Sequence, residues 1–320
     1  MNPIYRPEGS YLSLPENLEY LSSPAALERA REERRILEGT VLLCDSNLRL
    51  HVDLGCMRGI IDRDEAVYCR HGEEQKDIAV ITRVGKPVCF RVVGFTRIDG
   101  KVVARLSRKE AQRECLQYYL QSLRTGDILP AKVTHMEPFG AFVDIGCGVS
   151  SLLSVDCLSV SRISHPSDRL SVGDHIFTVV KARDLSLERI FVSMKELLGT
   201  WEENAAHFEV GQTVPGIVRS VESYGVFVEL APNLAGLAEL REGDADRDLL
   251  RIGQASVVYI KSILPDRMKI KLVLIDSYRG ALPRAEIPYY IDCERVSHLN
   301  HWRYSPATSS KVIESWFETV

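Results

Sequence analysis

The chain repeats, and that constrains its fold more than any other feature. Val52-Asp53-Leu54-Gly55, Val143-Asp144-Ile145-Gly146 and Val228-Glu229-Leu230-Ala231 are versions of one pattern. A glycine-led strand start precedes each: Gly39-Thr40-Val41, Gly126-Asp127-Ile128 and Gly211-Gln212-Thr213. An apolar-Gly step follows each, at Val84-Gly85, Val172-Gly173 and Ile252-Gly253. Length alone, 320 residues, suggests about two domains at roughly 150 residues apiece. The repeats instead predict three units of about 70 residues each.

Each unit reads as β. Leu129, Ala131 and Val133 alternate with Pro130, Lys132 and Thr134, and Val214, Gly216 and Val218 alternate with Pro215, Ile217 and Arg219. Every repeat closes with two β-rich runs around a polar turn: Asp99-Gly100, Leu185-Ser186-Leu187-Glu188 and Leu264-Pro265-Asp266-Arg267. Asp-Gly suits a two-residue hairpin because both turn positions need positive φ. Short strands with polar turns predict small closed barrels.

Three helical stretches fill the gaps. One runs from Ser23-Pro24 to about Leu37, and a second, Arg108 to Leu123, presents Leu116, Leu120 and Leu123 on one face. The third opens at the capping box Thr200-Trp201-Glu202-Glu203 and presents Trp201, Ala205 and Phe208. The expected division is 1–37 N-terminal tail and helix, 38–107 barrel, 108–124 linker helix, 125–196 barrel, 197–210 linker helix, 211–276 barrel and 277–320 tail.

Composition excludes several functions. A net charge of −4 argues against a polybasic binder but not against one basic face. No run of 18 apolar residues predicts a membrane span, and the first residues lack a signal-peptide pattern, so a cytoplasmic protein without membrane partners is expected. None of the eight cysteines forms a C-x-x-C pair, so reduced thiols are expected, with no metal and no cofactor. Gly146-Cys147-Gly148-Val149 is too short for a dinucleotide fingerprint, and neither a P-loop nor H-E-x-x-H occurs. Asp244, Asp246 and Asp248 read as solvated surface. No enzyme activity and no small-molecule substrate are expected.

Aromatic residues carry the positive signal. The second repeat reads Pro138-Phe139-Gly140-Ala141-Phe142-Val143-Asp144-Ile145, and the third Ser223-Tyr224-Gly225-Val226-Phe227-Val228-Glu229-Leu230. Alternation puts Ala141, Val143 and Ile145 inside, with Phe142 and Asp144 outside. Phe139 would face inward on a regular strand, and a bulge at Gly140 would turn it out. The rings are then either core residues or a platform on which unpaired bases stack. Two copies in register favour the platform.

From Gly126-Asp127-Ile128 through Phe139-Gly140-Ala141-Phe142-Val143-Asp144-Ile145-Gly146 and Val172-Gly173-Asp174 to Val192-Ser193-Met194-Lys195, the second repeat resembles the S1 motif of the bacterial ribosomal protein S1 family. Arg162-Ile163-Ser164-His165-Pro166-Ser167-Asp168 looks like the linker of those repeats. The resemblance extends over about residues 38 to 276, strongest in the second repeat and weakest in the first. It implies a mainly β chain of three tandem five-stranded OB-fold (S1-type) barrels joined by short helices, binding single-stranded RNA such as mRNA.

Carried over residue by residue, the resemblance implies RNA contacts from Phe139, Phe142, Asp184 and Arg189, and from Tyr224, Phe227 and Lys269. Lys132 and Arg219, on the first strands of the two repeats, complete the candidate set. The family's histidine position holds Ser154 and Glu239, and the carboxylate is expected to weaken the third repeat. The first repeat has Leu48 and His51 where the rings would be. By resemblance it, with the helix before it, would contact the small ribosomal subunit. The alternative is a protein-interaction scaffold or general RNA-metabolism factor with weak RNA affinity. In the tail, Tyr289, Tyr290, Trp302 and Tyr304 are expected to lie against the preceding domain rather than to stack on bases.

Overall fold

The computed structural model describes residues 5–70, 73–239, 250–278 and 286–319 of the chain. Two short helices come first, α1 (Pro15–Leu21) and α2 (Pro24–Glu32). Each starts on a proline, whose missing N–H costs nothing there, and the Ser23 side chain caps α2 by accepting from the Ala26 N–H. The helix stops at Glu32, short of the expected Leu37, because the chain enters a strand at Ile36.

The first sheet comprises β1 (Ile36–Cys44), β2 (Leu50–Asp53), β3 (Arg58–Ile61), β4 (Pro87–Ile98) and β5 (Lys101–Ser107), with α3 (Asp77–Ile81) between β3 and β4. It closes on itself in the order β1-β2-β3-β5-β4. After α4 (Arg108–Ser122) come β6 (Ile128–Glu137), β7 (Gly140–Asp144), β8 (Ser150–Ser154), β9 (His175–Asp184) and β10 (Arg189–Ser193). After α5 (Trp201–Ala205), capped reciprocally by Thr200 and Glu203, come β11 (Thr213–Glu222), β12 (Gly225–Ala231), β13 (Leu234–Glu239), β14 (Ala255–Leu264) and β15 (Lys269–Tyr278). Both later sheets repeat the first one's connectivity, with one parallel pairing each, between the third and fifth strands. Closure leaves these five-stranded sheets without an open edge. The chain is thus mainly β.

Register is shared in detail. The first strand of each sheet carries an irregularity at the same place, between Val41 and Leu43, Val133 and His135, and Val218 and Ser220. The alternating residues Ala141, Val143, Ile190 and Val192 fill the second interior, and Val226, Val228, Ile270 and Leu272 the third. Asp99 and Gly100 have φ of 51° and 75°, as a two-residue hairpin requires.

Segments outside the sheets tie them together. Glu8, in the N-terminal segment, accepts from Arg108 at 2.6 and 2.9 Å and from the Cys89 backbone N–H at 3.1 Å. Glu38 on β1 accepts the N–H groups of Tyr11 and Leu12. In the tail, β16 (His301–Arg303) pairs with β17 (Glu314–Trp316). Trp302 and Tyr304 are buried in the third core, and the Tyr304 hydroxyl donates to the Asn233 carbonyl at 2.6 Å. Tyr289 packs edge-on to Phe177 and accepts its backbone N–H. The tail's described rings therefore lie largely against the second and third sheets. Cys89, Cys115, Cys147 and Cys157 are buried, the other four half-buried, and none is bridged. Among the described residues no acidic, histidine or cysteine cluster could hold a metal, and no helix is long and apolar enough to cross a membrane. Asp244, Asp246 and Asp248 lie outside the described residues.

Candidate nucleic-acid interface

A tight turn presents the rings. β6 ends at Glu137 and β7 begins at Gly140, so Pro138 and Phe139 form the two-residue connection. Phe139 is 55% exposed because it stands at that tip. The bulge expected at Gly140 does not exist: β7 pairs with β8 regularly from Gly140 to Asp144, and the irregularity sits on β6 instead. Gly140 has a different purpose. A Cβ there would lie 2.6 Å from the Leu153 carbonyl oxygen and 2.9 Å from the Ser154 Cα, so the glycine lets β8 approach.

Phe142, between the buried Ala141 and Val143, turns outward and meets Phe139 edge to face, with centroids 6.0 Å apart and planes at 89°. His135 stacks against Phe142 at 6.2 Å and 22°. The third module repeats the geometry: Tyr224, 58% exposed, meets Phe227 at 6.3 Å and 89°. Here too the ring follows a tight turn, and Gly225 admits the Ala238 carbonyl. In the first module His51 occupies the place of Phe142 and is tied to Asp45 at 3.2 Å, with Leu48 in a turn at φ 59°.

The polar candidates divide. Arg189 is half-exposed on β10 and pairs across modules with Glu73 at 3.2 Å. Asp184 closes the β9–β10 hairpin, accepting from the Ser186 hydroxyl and N–H and from the Leu187 N–H. The Ser186 hydroxyl, followed by the Leu187 N–H, draws its carboxyl below the ordinary range. Asp184 thus shapes the turn beside Arg189. Lys269 is exposed at the start of β15. Lys132 is half-buried and donates to the Glu8 carbonyl oxygen at 3.1 Å, which binds it to the N-terminal segment.

Two expectations are corrected. Arg219 is buried, its guanidinium bonded to Glu229 at 2.8 Å and to Asp168 at 3.3 Å, while Arg169 reaches the same Glu229 at 2.7 Å. It joins the second and third modules and does not face solvent. Asp144 does point out of its barrel, but the N-terminal segment covers it, and it accepts the N–H groups of Glu8, Gly146 and Gly148. Burial, then the neighbouring Glu8, pushes its carboxyl up to about 8. No open carboxylate stands at this position beside Phe142.

Sequence reasoning passed over His135, Phe191 and Glu73. Strand alternation could have found Phe191, which lies between the buried Ile190 and Val192. Nothing local marks Glu73, whose contact crosses between modules.

The chain is 32% identical over 213 residues to the small ribosomal subunit protein bS1 of Staphylococcus aureus (strain COL), covering 63% of this chain and 53% of that one. It is 31% identical over 196 residues to the small ribosomal subunit protein bS1 homolog of Bacillus subtilis (strain 168), covering 59% and 51%. The chain therefore spans about half the length of the curated relatives it matches. A solved multidomain protein with nucleic acid binding domains from Streptococcus pneumoniae is 16% identical, covers 76% of this chain and 73% of its own, and has a TM-score of 0.24. The S1 RNA binding domain model matches residues 122–195, the segment that carries the Phe139–Phe142 pair.

Proposed function

We propose that the chain is a set of three tandem S1-type OB-fold barrels that binds single-stranded RNA, mRNA included, by stacking unpaired bases on the rings of its second and third modules. It would act in the cytoplasm, in translation, on or near the small ribosomal subunit, as a binding protein with no catalytic step. The observation that carries the reading is the duplicated ring pair. Phe139–Phe142 and Tyr224–Phe227 share one perpendicular geometry, each with a ring held into solvent at a turn tip. Stacking is worth roughly 1–3 kcal/mol per base, and linking two weak sites raises the effective concentration of the second. With Arg219 and Lys132 engaged in buried or part-buried contacts, the exposed Lys269 and Arg189, the latter by exchanging its Glu73 partner for phosphate, are left to contact the backbone. Two such contacts give a salt slope of roughly −1.4, so affinity should fall only about sevenfold between 50 and 200 mM salt.

The test is fluorescence anisotropy of an oligouridylate with Phe142→Ala and Phe227→Ala, alongside thermal melting. Lost affinity with little change in stability is expected. Unfolding at a cost of about 3–5 kcal/mol would assign the rings to the core instead. Intact folding with unaltered affinity would favour the second reading, a protein-interaction scaffold. The internal ion pairs of the first and third modules, Asp62–Arg105 and Glu239–Lys271, are what favour that alternative. The first module and α2, which lack a ring pair, would form its protein-contact end.

A further inference from the structure

The second module differs from its neighbours at two positions together. Strand register makes Arg105, Phe191 and Lys271 equivalent, each paired with Ile60, Leu152 or Leu237 on the parallel strand beside it. Two residues further along the chain come Asp62, just past the end of β3, Ser154 and Glu239. In the first module the two positions form an ion pair, Arg105 Nη2 to Asp62 Oδ2 at 3.5 Å. In the third they do so again, Lys271 Nζ to Glu239 Oε1 at 3.6 Å. In the second both charges are gone, replaced by a ring and a hydroxyl.

Phe191 is half-exposed on the outer face, since Ile190 and Val192 on either side are buried. Across the strands it shares a row with Leu152 and Phe142, and His135 continues that row on β6. Neighbouring strands lie about 4.8 Å apart, so two steps set the Phe142 and Phe191 backbones roughly 10 Å apart. That leaves room for a separate base at each ring. At the equivalent point of the other modules, a base would have to displace water from a hydrated ion pair.

We propose that Phe191 forms a further nucleobase subsite of the second module, taking one unpaired base of a single strand beyond the Phe139–Phe142 pair. This rests on the RNA-binding reading above. The subsite selects for an exposed π-face, not for phosphate, and the second module consequently holds more nucleotides than the third.

The full chain tests it, with an oligouridylate carrying 5-iodouridine. Photocross-linking should place adducts on Phe191 as well as on the Phe139–Phe142 turn. Phe191→Leu keeps apolar volume and removes the ring, and it should weaken binding by at least about fivefold, the low end for one stacked base. Phe191→Tyr restores a ring and should bind within about twofold of the unsubstituted chain, the range of one π-face for another. Undiminished binding by Phe191→Leu, or adducts confined to the Phe139–Phe142 turn, would overturn the subsite. So would failure of Phe191→Tyr to bind where Phe191→Leu has lost affinity, because the ring would then be acting only through folding. If Phe142→Ala also binds undiminished, the RNA-binding reading itself falls. Loss with Phe142→Ala beside full binding with Phe191→Leu removes only the subsite.

Discussion

At the scale of single residues, a side chain's partner decides its role more than its type does. Arg219 and Arg189 are both arginines in candidate positions, yet one is buried between Glu229 and Asp168 and the other reaches solvent beside Glu73. Alternation on β11 gave no sign of this, because the acid that captures Arg219 comes partly from the preceding linker, at Asp168. The ring positions were legible, since two motifs in register and glycines at matching places specify turn tips. The reason offered for them was wrong, as the turn rather than a bulge exposes Phe139. Glu229 holds Arg169 and Arg219 together, and both guanidiniums are largely withdrawn from water. Glu229→Ala leaves two buried cations facing each other, and should cost about 3–5 kcal/mol. Chemical denaturation measures this, and a loss below 1 kcal/mol would show that water or a rearrangement compensates.

At the scale of elements, the strands, hairpins and helices were largely readable from period and turn chemistry. Thr200 and Glu203 cap α5 reciprocally as their spacing implies, and Asp99-Gly100 makes its hairpin. What sequence period could not give was how closely one strand approaches the next. That is set by Gly140, which lets the Leu153 carbonyl pass where a methyl group would collide with it. Gly140→Ala should therefore destabilise the second module by roughly 1–3 kcal/mol, the usual range for overpacking, and disturb the turn that carries Phe139. Phe139→Ala should weaken RNA binding while the melting temperature stays put. Equal melting temperatures for the two variants would contradict this division of labour.

At the scale of the whole molecule, the modules are joined by groups distant in sequence. Glu8 and Asp144 meet in a buried cluster with Arg108, Arg83 and Cys147 where the N-terminal segment crosses from the first module to the second. No local pattern predicts it, because its members come from four separate stretches of chain. The folded-state pKa of Asp144, about 8, lies above that of an unfolded aspartate. Its contribution to stability is thus full below about pH 4 and is lost as pH rises toward 8. Glu38, raised in the same direction by burial, adds to the slope. Denaturation at pH 5 and pH 8 should find the chain less stable at the higher value through this contribution, and Asp144→Asn should flatten the difference. An unchanged slope in that variant would assign the effect elsewhere. The bridge of Arg169, Glu229 and Arg219 has a different consequence. It makes the distance between the two ring pairs a property of the folded protein, as on a ruler. A ligand too short to reach from one mark to the other gains nothing from the second, and one just long enough gains all of it at once.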